Sequence, residues 1–100
     1  SGHVVGARVF VPGSRGFRDA RGLFGGASSH LVVPGAKAVA IPEHLGQAGV
    51  LLALAATAQH ALANAALPDL IIGHGVLGRL LARIAVAQGG APVVWETNPL

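Results

Sequence analysis

Three glycines and one acid have the residue types and the spacing of a site that binds a dinucleotide. Residues 73–78 read GHGVLG, which fits the pattern G-x-G-x-x-G, and Glu96 follows about as far along the chain as such sites place an acid. In that pattern Gly73 permits a tight turn, Gly75 lets a pyrophosphate approach the backbone, and Gly78 lets the next helix pack closely. The N–H groups near residues 76–78 would face the phosphates at the positive end of the helix dipole.

The acid at position 96 also bears on the choice of coenzyme. A carboxylate there can accept hydrogen bonds from the ribose hydroxyls of the adenosine and repels a 2′-phosphate, which favours NAD over NADP. No arginine or lysine follows Glu96 in the sequence. The alternative is a strand–helix–strand unit whose glycines serve only the turn and the packing, with Glu96 as a solvated acid. We expect the side chain of His74, between the glycines, to point away from the phosphates.

The elements that must position this motif are predicted to be a strand, a helix and a second strand. Residues 70–72 form a short apolar run, and residues 91–96 form another that ends at Glu96. Between them, apolar residues recur at helical spacing from position 77, and Gly89 and Gly90 are predicted to end the helix. Upstream, the Ala/Leu-rich residues 47–65 are apolar on every side, which predicts a buried helix.

The first half of the chain is predicted to be rich in strands and loops. Residues 3–13 predict a strand that ends at a Pro-Gly pair, and residues 14–29 predict an irregular loop. Residues 30–33 and 38–41 predict two short strands separated by a second Pro-Gly pair. The pattern changes near residue 47, which predicts an all-β piece joined to the start of a parallel α/β piece.

The composition predicts a chain that does not stand alone. It is 52% hydrophobic and only 11% charged over 100 residues, with a mean hydropathy of +0.61. Either a membrane or the rest of a larger protein should cover its apolar faces, and one βαβ unit cannot cover both faces of its own sheet. Residues 50–67 and 70–87 approach the length of a membrane span but contain polar interruptions, so we expect an interior segment of a longer protein without stable membrane insertion.

Charge and residue usage argue against several other classes of protein. The net charge is +3, the local basic cluster is Arg15, Arg18 and Arg21, and the chain has one tryptophan and no tyrosine. A surface that binds nucleic acid is therefore not expected. Cysteine is absent, which fits a cytoplasmic protein, and the five histidines lack metal-ligand spacing, so no metal site is predicted.

Taken in order, these segments resemble the medium-chain dehydrogenase/reductase superfamily, whose members join a GroES-like catalytic domain to a Rossmann coenzyme domain. The segments that carry the resemblance are VGARVFVPGS, GGASSHLVVPGAKAVAIPEHL, LLALAATAQHAL and LIIGHGVLGRLLARIAVAQGG. The resemblance implies an α/β fold in three parts. The end of a GroES-like β-rich catalytic domain (1–46) is joined through a connecting helix (47–67) to the first βαβ unit of a Rossmann NAD-binding domain (68–100).

The resemblance also implies a set of coenzyme-binding residues. Five residues match the pyrophosphate turn, one matches the ribose acid, and one matches a threonine near the nicotinamide of several members: Gly73, Gly75, Val76, Leu77, Gly78, Glu96 and Thr57. For Thr57 the alternative, a helix hydroxyl bonded to its own backbone, is equally open. Zinc-dependent members carry four cysteines where this chain has RGFRDARGLFGG, so a structural zinc is not expected.

Several segments, above all GHGVLGRLLAR followed by WETNP, resemble those members that oxidise the 3-(1-hydroxyethyl) group of bacteriochlorophyllide a to a 3-acetyl group with NAD. This implies a tetrapyrrole partner and a homo-oligomeric full-length enzyme. The three clustered arginines could meet a propionate of the tetrapyrrole, but a solvated loop is the favoured alternative for them. The catalytic base is not identified, although His30 and His60 are titratable. Two alternatives stay open: another alcohol or polyol dehydrogenase or reductase of the superfamily, and a non-catalytic interaction module.

Overall fold

The computed structural model of the chain describes residues 2–13 and 28–99. Contacts between Cα atoms divide the chain into two compact units, Ser1–Val50 and Leu51–Leu100. Most of the predicted loop at residues 14–29, including Arg15, Arg18 and Arg21, lies outside the described residues. The three-part division at residues 1–46, 47–67 and 68–100 stays a prediction.

The first unit contains a short antiparallel pair of strands. Strand β1 (Val9–Phe10) pairs with strand β2 (Val39–Ala40), with Val9 opposite Ala40. β1 is much shorter than the strand predicted for residues 3–13. The reason is a turn in which the N–H of Ala7 donates to the carbonyl of Val4 (3.0 Å) while Gly6 adopts a φ of 90°. This turn takes the chain out of extended geometry before β1 begins.

The strand predicted for residues 30–33 is wrong, because the structure assigns no strand to them. A short 3₁₀ helix, Gly35–Lys37, follows instead, and the imidazole Nε2 of His3 donates to the carbonyl of Gly35 at 2.7 Å. Val32 is 92% exposed and packs against no apolar surface of the described residues. β-branched residues favour a strand where a neighbouring strand packs beside them, and no described segment does so here.

The predicted helix of residues 47–65 is divided between two kinds of helix. A 3₁₀ segment, Glu43–Leu51, is interrupted at Gly46, whose φ is 52°, and helix α1 (Leu52–Leu62) follows. Glycine disfavours the α-helix, and Gly46 and Gly49 both lie in the 3₁₀ part. The prediction that the whole helix is buried is also wrong: Ala58 and Leu62 are the buried residues of α1.

The second unit confirms the predicted strand–helix–strand order. Strand β3 (Leu70–Ile72), helix α2 (Val76–Ala87) and strand β4 (Val93–Trp95) follow one another, and β3 pairs with β4 in parallel. Helix α1 packs on helix α2. The parallel register brings the carboxyl ends of β3 and β4 to the same edge, where the chain enters α2 on one side and reaches Glu96 on the other.

Both ends of α2 follow from glycines in the sequence. Gly75 is the N-cap, and after the C-cap the chain reverses through Gly89 with a φ of 93°. The N–H of Gly90 then donates to the carbonyl of Ala85 (2.8 Å), and the N–H of Gly89 to that of Val86 (3.0 Å). These two bonds form a Schellman motif, which satisfies carbonyls that the helix end would otherwise leave without partners.

The buried core of the described residues is small and consists of Ala58, Leu62, Ile71 and Ala85. Large apolar side chains of the parallel strands remain in solvent, with Ile72 78% and Trp95 62% exposed. In the part of the chain that the structure describes, one helical stretch, Glu43–Leu62, is long and apolar enough to cross a membrane by length and composition alone.

Candidate dinucleotide-binding site

The chain leaves β3 through a turn that glycine makes possible. Gly73 has a φ of 101°, in the left-handed region that residues with a Cβ atom rarely adopt. Its N–H donates to the carbonyl of Trp95 at 2.7 Å, so the turn stays fastened to the end of β4. The turn therefore begins at the edge where the two parallel strands end.

Gly75 opens α2 without placing a side chain over its N-terminus. A Cβ atom added at Gly75 would meet nothing within 4 Å, which shows that the position faces open space. Among the described residues no side chain caps the helix. The N–H groups of the first helical turn have no intrahelical acceptor, and with the helix dipole they favour an anionic group in that space.

Gly78 lies against the backbone of the turn. A Cβ atom added there would collide with the carbonyl oxygen of Gly73 and would also contact Ile71 at 3.9 Å. Only a residue without a side chain allows α2 to pass so close to the turn. The predicted packing role of this third glycine thus has a direct steric cause in the structure.

Glu96 follows β4 and holds the turn through its carboxylate. Oε2 accepts a hydrogen bond from the backbone N–H of His74 at 2.6 Å, and Oε1 accepts one from the N–H of Asn98 at 2.9 Å. These N–H groups, that of Asn98 foremost, hold the pKa of the Glu96 carboxyl below its ordinary value. The side chain is exposed and ionised at neutral pH, so the carboxylate can only accept hydrogen bonds.

A cleft of about 610 Å³ lies between the turn and this acid. Of the residues predicted for the site, Gly75, Val76 and Glu96 line it. Gly73 and Gly78 shape the turn, and Leu77 lies in the first turn of α2. The structure therefore brings the glycine motif and the acid together at one cleft, and the ligand that they bind stays a prediction.

Thr57 is not among the residues that line this cleft. It lies on α1, and its hydroxyl donates to the carbonyl of Ala53 at 3.1 Å. This is the local bond to the helix backbone that a threonine commonly makes. A role for Thr57 beside a nicotinamide stays a prediction.

Four residues that line the cleft were not predicted as site residues: His74, Arg79, Asn98 and Pro99. Arg79 lines the cleft, and its Nε donates to the carbonyl of His74 at 3.1 Å. The signal was its place directly after Gly78, since helical side chains lean toward the N-terminus of their helix. His74 also lines the cleft, and its buried Nδ1 has no hydrogen-bond partner in the part of the chain that the structure describes.

Metal ligands do not cluster in residues 2–13 and 28–99, where no three His, Cys, Asp or Glu side chains come together in a way that could hold an ion. The expectation that this chain supplies no metal site stays a prediction.

Two curated proteins are similar to the chain over nearly all of its length. The 2-desacetyl-2-hydroxyethyl bacteriochlorophyllide A dehydrogenase of Rhodobacter capsulatus is 55% identical to this chain. The alignment is 103 residues long and covers 99% of the chain. The protein of the same name from Cereibacter sphaeroides is 60% identical over 106 residues, which cover 98%. The predicted resemblance to bacteriochlorophyllide dehydrogenases is thus confirmed. The chain spans 33% of the length of each relative.

No protein-family model matches the chain, and no solved structure matches it. The described residues form a mixed helix and strand fold. The GroES-like and Rossmann domain assignments stay predictions, as does membership of the medium-chain superfamily.

Proposed function

We propose that this chain supplies the NAD-binding turn of a dehydrogenase that oxidises the 3-(1-hydroxyethyl) group of bacteriochlorophyllide a to a 3-acetyl group. The observation that carries the proposal is the cleft at the carboxyl ends of β3 and β4. It is lined by an uncapped helix N-terminus on one side and an ionised acid on the other. The names of the two relatives, at 55% and 60% identity, supply the substrate class.

Different groups of the cleft bind different parts of NAD. The first N–H groups of α2, beside Gly75 and Val76, favour the pyrophosphate because they are donors at the positive end of the helix dipole. The Glu96 carboxylate favours the adenosine ribose, because an ionised acid is an acceptor for the ribose hydroxyls. A 2′-phosphate in that place would meet an ionised acid, so the same group disfavours NADP.

NAD, held by the turn and Glu96, would supply the hydride acceptor for oxidation of the secondary alcohol to a ketone, a reaction in which the hydroxyl proton leaves to a base. The described residues of this chain bind and orient the adenosine half of the coenzyme. The base is not assigned to any of them.

The remaining features of the proposal concern the whole protein. We expect it to be cytoplasmic and homo-oligomeric, without stable membrane insertion and without a nucleic-acid partner. The absence of cysteine supports the first expectation. The polar residues Gln59 and His60 within the apolar stretch Glu43–Leu62 support the absence of insertion.

A turnover measurement on the full-length protein tests the substrate class. With NAD present, the protein should convert 3-(1-hydroxyethyl) bacteriochlorophyllide a to the acetyl product and should turn over ethanol and small polyols at least about a hundredfold less efficiently, since a large apolar substrate contributes far more binding energy. Comparable kcat/KM values for a small alcohol would favour the broader dehydrogenase alternative. No reduction of NAD with any alcohol, in a protein that is folded, would favour a non-catalytic module.

A further inference from the structure

Arg79 is the basic residue among those that line the cleft of the glycine turn. Its backbone N–H closes the first hydrogen bond of α2 by donating to the carbonyl of Gly75 at 2.9 Å. Its side chain turns back over the N-terminus of the helix, where Nε donates to the carbonyl of His74 at 3.1 Å. Both contacts fasten the residue to the turn itself, so the guanidinium has a defined place at the cleft.

The contact through Nε leaves the outer edge of the guanidinium available. In residues 28–99 that contact is the one side-chain hydrogen bond of Arg79, and no carboxylate forms an ion pair with it. The two terminal amino groups together carry four N–H donors. A guanidinium presents such donors as a planar fork that matches two oxygens of a phosphate.

The cleft therefore has opposite charges on its two sides. The guanidinium of Arg79 lies on the side of α2, and the carboxylate of Glu96 lies after the end of β4. Glu96 repels phosphate groups and accepts from hydroxyls, whereas Arg79 attracts phosphate groups and can only donate. Arg79 also lies on the same turn of α2 as the backbone N–H groups that favour an anion. One ligand that satisfies both sides places its diphosphate by Arg79 and its ribose by Glu96.

We infer that Arg79 binds the diphosphate of the coenzyme, as a side-chain addition to the backbone N–H groups of the glycine turn. This inference rests on the proposed function, because it assigns a residue to the same coenzyme. It makes Arg79 a binding residue, and the contact with His74 a means of holding the guanidinium in place.

The test is the affinity of the full-length protein for NAD and for ADP-ribose, measured by calorimetry for Arg79→Gln and for Arg83→Gln. Arg83 is exposed, lies one helical turn further along α2 and does not line the cleft, so its substitution removes the same charge away from the site. Loss of a charged hydrogen bond predicts that Arg79→Gln weakens both ligands about tenfold or more, and that Arg83→Gln changes them less than about threefold. Equal effects of the two substitutions would overturn the inference.

A second variant separates phosphate binding from support of the turn. Arg79→Lys keeps the positive charge but lacks Nε, so it cannot make the same contact with His74. Diphosphate binding predicts that Arg79→Lys binds ADP-ribose clearly more tightly than Arg79→Gln, and that the affinity of the wild-type protein falls more steeply with salt than that of Arg79→Gln. A lysine variant as weak as the glutamine variant would overturn the inference. Failure of the wild-type protein to bind NAD would contradict the proposed function itself.

Discussion

Residue 78 shows how one missing side chain determines the shape of the site. The carbonyl of Gly73 occupies the place where a Cβ atom of residue 78 would be, so α2 can approach the turn only with glycine there. Gly75 differs, because its missing side chain leaves open space in front of the helix N-terminus. Two glycines of one motif thus serve two purposes, one steric within the protein and one directed at a ligand.

This difference predicts opposite phenotypes for two alanine substitutions in the full-length protein. Gly78→Ala should lower the free energy of unfolding by about 1–3 kcal/mol, because the turn and the helix must move apart. Gly75→Ala should cost no more than about 1 kcal/mol, the N-cap preference, while it weakens NAD binding by filling the space at the cleft. Denaturant unfolding and NAD titration of both variants check this. A stable Gly78→Ala protein would contradict the steric account.

At the residue scale, the positions of the three glycines and the acid were predictable, because the spacing of this motif specifies a tight turn between a strand and a helix. Arg79 was not predicted, because G-x-G-x-x-G ends one residue before it and the pattern does not specify a side chain there. Its position at the cleft has two causes. Helical side chains point toward the N-terminus of their helix, and the carbonyl of His74 accepts a hydrogen bond from the Arg79 side chain. The burial of Nδ1 of His74, which has no partner within residues 2–13 and 28–99, likewise follows from local packing that no spacing rule describes.

At the scale of elements, the strand–helix–strand part of the second unit was predictable, and the first unit was predictable only in part, since β1 and β2 lie within predicted strands. β3, α2 and β4 are each defined by local signals, namely a short apolar run, helical spacing and the Gly-Gly stop. In the first unit the strand at residues 30–33 was wrong, because a strand needs a partner and sequence does not show one. The Ala/Leu-rich helix was predicted to be buried, yet composition shows only which residues prefer burial, not what covers them in this chain.

The end of α2 provides a prediction at this scale. Gly89 has a φ of 93°, where a residue with a Cβ atom is disfavoured by about 1–2 kcal/mol. Gly89→Ala should therefore lower the free energy of unfolding by about that amount, and Gly89→Asn by less, since asparagine tolerates this conformation better. Thermal unfolding of the two variants in the full-length protein measures the order. If alanine proved as stable as glycine, the Schellman end of α2 would not hold in solution.

At the scale of the whole molecule, the described residues bury a core of four apolar side chains and leave many larger ones, such as Ile72 and Trp95, exposed. The composition predicts that other parts of a longer protein cover these apolar faces. The exposed side chains of β3 and β4 are the place where such a cover would pack. The relatives are about three times as long as the matched region, since that region covers 33% of each. The catalytic base, the metal content and the substrate pocket therefore concern the complete protein, whereas the coenzyme turn can be judged from this chain.

The central claim is that the cleft between the glycine turn and Glu96 binds the adenosine half of NAD. The most direct measurement is the dissociation constant of the full-length protein for NAD and for NADP, determined for the Glu96→Arg variant. The control is Asp69→Arg, which makes the same charge change at an exposed position that does not line the cleft. The account predicts that Glu96→Arg weakens NAD at least about tenfold and improves NADP, because a guanidinium replaces the ribose acceptor and attracts the 2′-phosphate. Asp69→Arg should leave both constants nearly unchanged. An unaltered preference for NAD in the Glu96→Arg protein would contradict the account.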